Sequence, residues 1–320
     1  MDQVNDIDTR EPKRGWMCPS TRSFLDEARQ TPGFSPFDFL HGYVYSRWPY
    51  LYIGVGTGEH WLSRLIRPLA GLIGRMLPPH PNPDGSPAGV AGAYHGKVVT
   101  TGAARQLVMV KEEIRLEDLE KVIPYPLARD IVLKNCDHIV ALECPCRASR
   151  AEPCLPLDVC LIVGEPFAGF IAEHHPHRAR WIDSAEACDI LEAENARGHV
   201  HHAFFKDAML GRFYAICNCC SCCCGAMQAM RDGTPMMAAS GYTSTVAPDA
   251  CIGRGDCVEA CPFGAIELLG TAAAVDRSKC MGCGVCVSTC EAGALSLVRD
   301  PGKGEPLEIQ RLMAQIESIL

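Results

Sequence analysis

A cysteine pattern that repeats itself sets the tightest limit on what this chain can fold into. Cys251, Cys257 and Cys261 recur 29 residues later as Cys280, Cys286 and Cys290, and Gly264-Ala265-Ile266-Glu267-Leu268 recurs as Gly293-Ala294-Leu295-Ser296-Leu297. Two copies of a short loop-and-strand unit, related by approximate two-fold symmetry, are expected, with Ala274-Val275-Asp276 and Leu295-Ser296-Leu297-Val298 as strands beside the loops. Thiols this crowded need a partner, and 20 of the 320 residues are cysteine. A secreted disulfide scaffold begins with a charged and then apolar leader, whereas Met1-Asp2-Gln3-Val4-Asn5-Asp6 is polar and acidic. The expectation is a cytoplasmic protein whose cysteines bind metal.

Iron in a cubane takes four soft thiolates, three from a tight loop and one from a distant cysteine. Cys280-Met281-Gly282-Cys283-Gly284-Val285-Cys286 is such a loop, with glycines that let amide groups approach the sulfurs. In two-cluster ferredoxins the last cysteine of each run serves the other cluster. Cys261, followed by Pro262, therefore completes a 4Fe-4S site with Cys280, Cys283 and Cys286. A four-cysteine zinc ribbon needs two separated CxxC pairs, which this run is not.

The first run departs from the pattern. Cys251-Ile252-Gly253-Arg254-Gly255-Asp256-Cys257 has Arg254 where a second cysteine belongs. Arginine is always cationic and offers iron no lone pair. Cys251, Cys257 and Cys290 remain for the second site, which leaves a three-iron cluster, a four-iron cluster with a ligand such as Asp256, or an empty site. The 3Fe-4S cluster is the narrow favourite, since a cube short of one thiolate loses that iron.

Two further knots lie upstream. Cys144-Pro145-Cys146-Arg147 continues to Cys154 and Cys160, and Cys217, Cys219, Cys220, Cys222, Cys223 and Cys224 fall within eight residues. The first knot alone can hold one tetrahedral metal, zinc included. Adjacent cysteines do not easily all point at one ion, so a multi-iron cluster, or two centres sharing a loop, suits the second knot better. Some subset of these ten is expected to hold an additional iron–sulfur cluster. A zinc site with spare thiols and a redox-regulated thiol patch are the alternatives.

The strings Arg197-Gly198-His199-Val200-His201-His202 and Arg212 to Gly225, together with Cys144-Pro145-Cys146-Arg147 and the C-terminal cysteine runs, resemble a family of ferredoxin-type 4Fe-4S dicluster proteins of anaerobic bacteria that carry an additional cysteine-rich module. The resemblance covers about residues 95–305. It implies an additional cysteine-rich module fused to a ferredoxin. With the strands and helices read below, the expected fold is α+β: a bacterial two-cluster ferredoxin-like C-terminal module appended to a cysteine-rich α+β domain. Members of that family keep cysteine where Arg254 stands. The paired cysteines of the second knot also resemble those of heterodisulfide reductases, without their long flanking spacings.

Four zones follow: residues 1–95, an N-terminal docking region ending in a Pro/Gly-rich linker from Pro78 to Gly92; 96–248, the cysteine-rich domain; 249–300, the ferredoxin-like module; and 301–320, a helical tail. In the second zone Val98-Val99, Leu107 to Val110 and Ile139 to Leu142 read as strands, the last delivering Cys144 to its end. Leu116 to Asn135 reads as a helix broken at Pro124 and Pro126, and Ser184 to Arg197 as a helix capped by Ser184. His174, His175 and His177, and His199, His201 and His202, are histidine patches; His201 and His202 are the better candidates to ligate iron or carry protons.

Residues 59–77 read as a basic amphipathic helix, suited to peripheral membrane contact or to packing, and the preceding aromatics Tyr43, Tyr45, Trp48, Tyr50 and Tyr52 suit either surface. No uncharged run is long enough to span a bilayer. A net charge of −8 argues against nucleic acid. Gly54-Val55-Gly56-Thr57-Gly58 lacks the spacing of a dinucleotide loop. The leading expectation is an electron-transfer subunit working with redox protein partners. A reductase acting on a substrate such as a disulfide, and a zinc-stabilised interaction protein, are the competing ones.

Overall fold

The computed structural model describes residues 17–65, 90–117, 119–125 and 127–317. The stretch Met1–Asp6, most of the amphipathic segment 59–77, most of the Pro/Gly-rich linker and the last residues of the tail lie outside them.

Three helices come first: α1 (Pro19–Gln30), α2 (Pro36–Arg47) and α3 (Pro49–Thr57). Each begins with proline, whose missing N–H is no loss in a first turn. Ser35 and Asp38 cap α2 reciprocally, each side chain accepting the other's backbone N–H.

The sheet follows, with strands β1 (Tyr94–Val99), β2 (Ile114–Leu116), β3 (Ile131–Glu143), β4 (Asp158–Glu165), β5 (Ala179–Ile182), β6 (Val200–Lys206), β7 (Arg212–Cys219) and β8 (Met237–Ala238). They lie in the order β2-β3-β4-β7-β6-β1-β8, with β5 beside β3. All pairs are antiparallel except β1 with β8. Between the strands run α4 (Thr101–Val108), α5 (Pro145–Ala148), α6 (Phe167–His174), α7 (Ser184–Ala196) and α8 (Gly225–Arg231).

Alternation along the strands gives the sheet two apolar faces. On one, Val140, Leu142, Ile162, Phe204 and Tyr214 pack with Phe24 of α1, Tyr45 of α2 and Phe167 and Phe170 of α6. On the other, Ile139, Ala141, Leu161, Phe205 and Ile216 pack with Leu107 of α4 and Leu191 of α7. The helices before residue 95 are thus built into the central core. Tyr45 is buried there and Tyr50 donates to the Glu143 carbonyl, while Trp48 stays half exposed.

The C-terminal module comprises β9 (Tyr242–Val246), α9 (Asp256–Ala260), β10 (Ile266–Leu269), β11 (Ala272–Val275), α10 (Val285–Thr289) and β12 (Leu295–Arg299). Here β10 pairs with β11 and β9 with β12, so the strand that opens the module lies before residue 249. A last helix, α11 (Ile309–Glu317), follows Leu307, and Leu307, Ile309, Leu312 and Met313 join the second core.

Three local expectations are corrected. Leu107 and Val108 end α4, which Thr100 caps through the Ala103 N–H, and Met109 and Val110 follow it outside any strand. Leu116 to Asn135 is not helical: β2 ends at Leu116, a loop follows, and the β-branched Ile131 and Val132 start β3. In α7 the cap is Asp183 rather than Ser184.

Candidate metal centres

The two ferredoxin loops each surround a cavity with thiols. Cys261, Cys280, Cys283 and Cys286 line one of about 20 Å³. Backbone N–H groups point at their sulfurs, from Ser244 to Cys280 (3.4 Å) and from Ala265 to Cys261 (3.2 Å). Gly282 has a φ of 65°, and a Cβ there would stand 2.2 Å from the Tyr242 carbonyl oxygen, so only glycine lets this loop close over the site. Burial pushes the Cys283 thiol up to about 12, so that sulfur ionises only against a cation. Donor type, inward amides and an enclosed space fit a cubane.

Cys251, Cys257 and Cys290 line the second cavity, with Arg254 and Asp256 on its wall. Arg254 is half exposed and turned to carboxylates: its Nε stands 2.9 Å from Asp256, and a second nitrogen pairs with Glu291. Asp256, the suggested non-cysteine ligand, is therefore held by the arginine.

The ten central cysteines divide into six and four. Cys144 and Cys146 stand at the end of β3 and the start of α5, Cys160 on β4, Cys217 and Cys219 on β7, and Cys224 at the start of α8. Their thiols neighbour one another in sequence around a ring: Cys217, Cys160, Cys144, Cys146, Cys224 and Cys219. The ring encloses a cavity of about 70 Å³ walled by Leu142, Ile162, Phe167 and Phe204. One ordered water needs about 10–15 Å³, so the chamber admits a multi-atom group. The Cys144 thiol, beside Cys146 and buried, is pushed up to about 12.

Cys154, Cys220, Cys222 and Cys223 form the other set, all four sulfurs within 4.8 Å of one another. Cys154 approaches Cys222 at 2.9 Å and Cys222 approaches its neighbour Cys223 at 3.6 Å. Adjacent cysteines do point at one spot here, against the expectation, because the chain turns sharply after β7.

One buried arginine fastens the loops that carry these thiols. Arg147 is 1% exposed; its guanidinium donates to the carbonyls of Pro156 and Asn218 (2.9 Å to the latter) and pairs with Glu194 of α7, which is 0% exposed. Burial alone would raise the Glu194 carboxyl; hydrogen bonds from His199 and Arg147 hold it below the usual range. Glu194 was not legible as part of the site, although a buried arginine beside Cys146 demanded a carboxylate.

The histidines separate by environment. His174 bonds Thr21 and His175 bonds the Ser46 carbonyl, so both tie the N-terminal helices to α6. His201 meets the Asn218 amide oxygen at 2.6 Å. His202, paired across the strands with Cys217, is fully buried with both ring nitrogens unpartnered among the described residues. Burial, with His201 adding to it, pushes its imidazole down to about 3, which keeps it neutral. Three tyrosines, Tyr45, Tyr94 and Tyr214, also line the chamber, with 2.7 Å between the Tyr45 and Tyr214 hydroxyls. Burial raises all three, so they stay protonated beside the thiols.

Among the described residues no helix is long and apolar enough to cross a membrane. A family profile described as a 4Fe-4S dicluster domain matches residues 243–291, from β9 to just past Cys290. Comparison with curated proteins gives no match. The chain therefore carries a 4Fe-4S dicluster domain near its C-terminus and, in its central region, a group of cysteines able to hold a metal.

Proposed function

We propose that this protein is an iron–sulfur electron carrier that exchanges electrons between redox partner proteins through its ferredoxin module and a cluster in the six-thiol chamber. A bound cluster supplies a reversible one-electron couple whose potential follows charge, burial and hydrogen bonding at the sulfurs. The residues supply the route. Cys251, Cys257, Cys261, Cys286 and Cys290 share one small apolar core, which joins the two ferredoxin sites. The observation that carries the proposal is the next step inward: Met281 and Val285, of the inner ferredoxin loop, belong to the same core as Cys144, Cys160, Cys219 and Cys224. The two thiol sets are thus linked through one core of packed side chains.

Anaerobic reductive titration with EPR and metal counting tests this. Stoichiometric electron uptake without turnover, and iron well in excess of zinc, are expected. Zinc equal to or above iron would sink the reading.

A reductase is the second reading, favoured by the chamber's size and its three tyrosine hydroxyls, which can donate hydrogen bonds to a bound substrate. A change in the central EPR signal on adding a disulfide, with turnover, supports it.

A further inference from the structure

We propose that Cys154, Cys220, Cys222 and Cys223 hold a single Zn²⁺ ion of their own, separate from the chamber with which they share the 217–224 loop. The inference concerns a site the electron-carrier reading does not use; it rests on that reading only in leaving the chamber to iron.

Spacing is the first argument. Thiolates about 2.3 Å from one tetrahedral ion stand about 3.8 Å apart. These four sulfurs all lie within 4.8 Å of one another, and among the described residues no other group of three or more candidate ligands closes so tightly. A cube of iron and sulfide stands between its ligand sulfurs and spreads them; Cys261, Cys280, Cys283 and Cys286 surround a cavity and do not close within 4.8 Å of one another. The four-cysteine group leaves no such space.

Local structure is the second. Strand alternation puts Cys217 and Cys219 on the chamber face of β7, and Cys224 returns to the chamber as α8 begins. The intervening turn carries Cys220, Cys222 and Cys223 away toward Cys154, with Cys220 alone of the four also touching the chamber wall. Arg150 holds the turn in place, its Nη2 donating to the Cys223 carbonyl at 3.0 Å. Two of the thiols are buried, one is half buried and one exposed. Four thiolates with no open position make a closed, structural zinc site. Such an ion would staple the 149–157 loop to the 220–223 turn, and so hold two chamber walls in register.

The test counts metals on the full chain. The protein is isolated anaerobically from iron-replete cells, alongside a Cys154→Ser/Cys222→Ser double variant. One zinc per chain is expected in the wild type and is lost in the variant. Absence of zinc from the wild type, retention of zinc in the variant, or loss of iron with no loss of zinc overturns the proposal. The ferredoxin EPR signal of the fully reduced protein reports separately on the carrier reading, since under reduction it is absent if that module lacks its cluster. Should the variant not fold, zinc-edge absorption on the wild type decides: a shell of four sulfurs at about 2.3 Å is expected, and absence of zinc or a shell containing nitrogen or oxygen overturns it.

Discussion

Arg147 does at the scale of one side chain what a cofactor-binding protein needs most: it fixes several loops from a single charge. Its planar fork reaches Glu194, Pro156 and Asn218 together, which lysine's point charge cannot reproduce. Arg147→Ala leaves the buried Glu194 to Arg197 (2.9 Å) and His199 (2.7 Å) and frees the Pro156 and Asn218 carbonyls, at a cost below the about 3–5 kcal/mol of a buried charge stripped of every partner. Denaturant unfolding should show that loss, and iron analysis should show a depleted central region beside a retained ferredoxin signal. Arg147→Lys should fall between the two proteins. At the outer ferredoxin site, Arg254→Cys supplies a fourth thiol to Cys251, Cys257 and Cys290. It should add one iron per chain and replace any three-iron EPR signal with a four-iron one; an unchanged iron count would show that the wild-type site is already full, or empty for another reason.

Among the elements, α1 depends on one acid. Glu27 lies against Arg212 of β7 (2.9 Å) and Lys134 of β3 (2.9 Å). Burial by itself would raise its carboxyl, but hydrogen bonds from Lys134 and the nearby Arg212 charge hold it below the usual 4.5. Because the folded-state value is the lower one, this stabilisation is present above about pH 4.5 and disappears as pH falls through the folded value. Glu27→Gln should cost about 2–3 kcal/mol at neutral pH, less than a fully buried pair because Lys134 is partly exposed. Its stability should converge with that of the wild type in acid, as pH-dependent melting would show. The elements also mark where sequence reasoning stops. The ferredoxin loops and their strands were legible because cysteine spacing and glycine positions admit few geometries. The short apolar run Leu107 to Val110 was not, since four apolar residues fit strand and helix equally and the deciding cap, Thr100, lies seven residues upstream. Nor was the division of the ten cysteines, which depends on which way one turn faces after β7.

For the molecule as a whole, metal and fold are coupled. Ten central thiols stand on β3, β4, β7 and the loops between them, so bound metal links strands that sit side by side in the sheet. Chelation under anaerobic conditions should lower the melting temperature and speed amide exchange in 144–160 and 217–224 before it affects α4 or α7. Uniform exchange across the sheet after metal removal would contradict this. The pairing of β9 with β12 has a consequence for biosynthesis. These strands are separated by some fifty residues of chain that contain both cluster loops. While the protein is being made, β9 emerges first and has no partner until β12 follows. The stretch that carries both loops is therefore tied off by β12 only after both loops have been made.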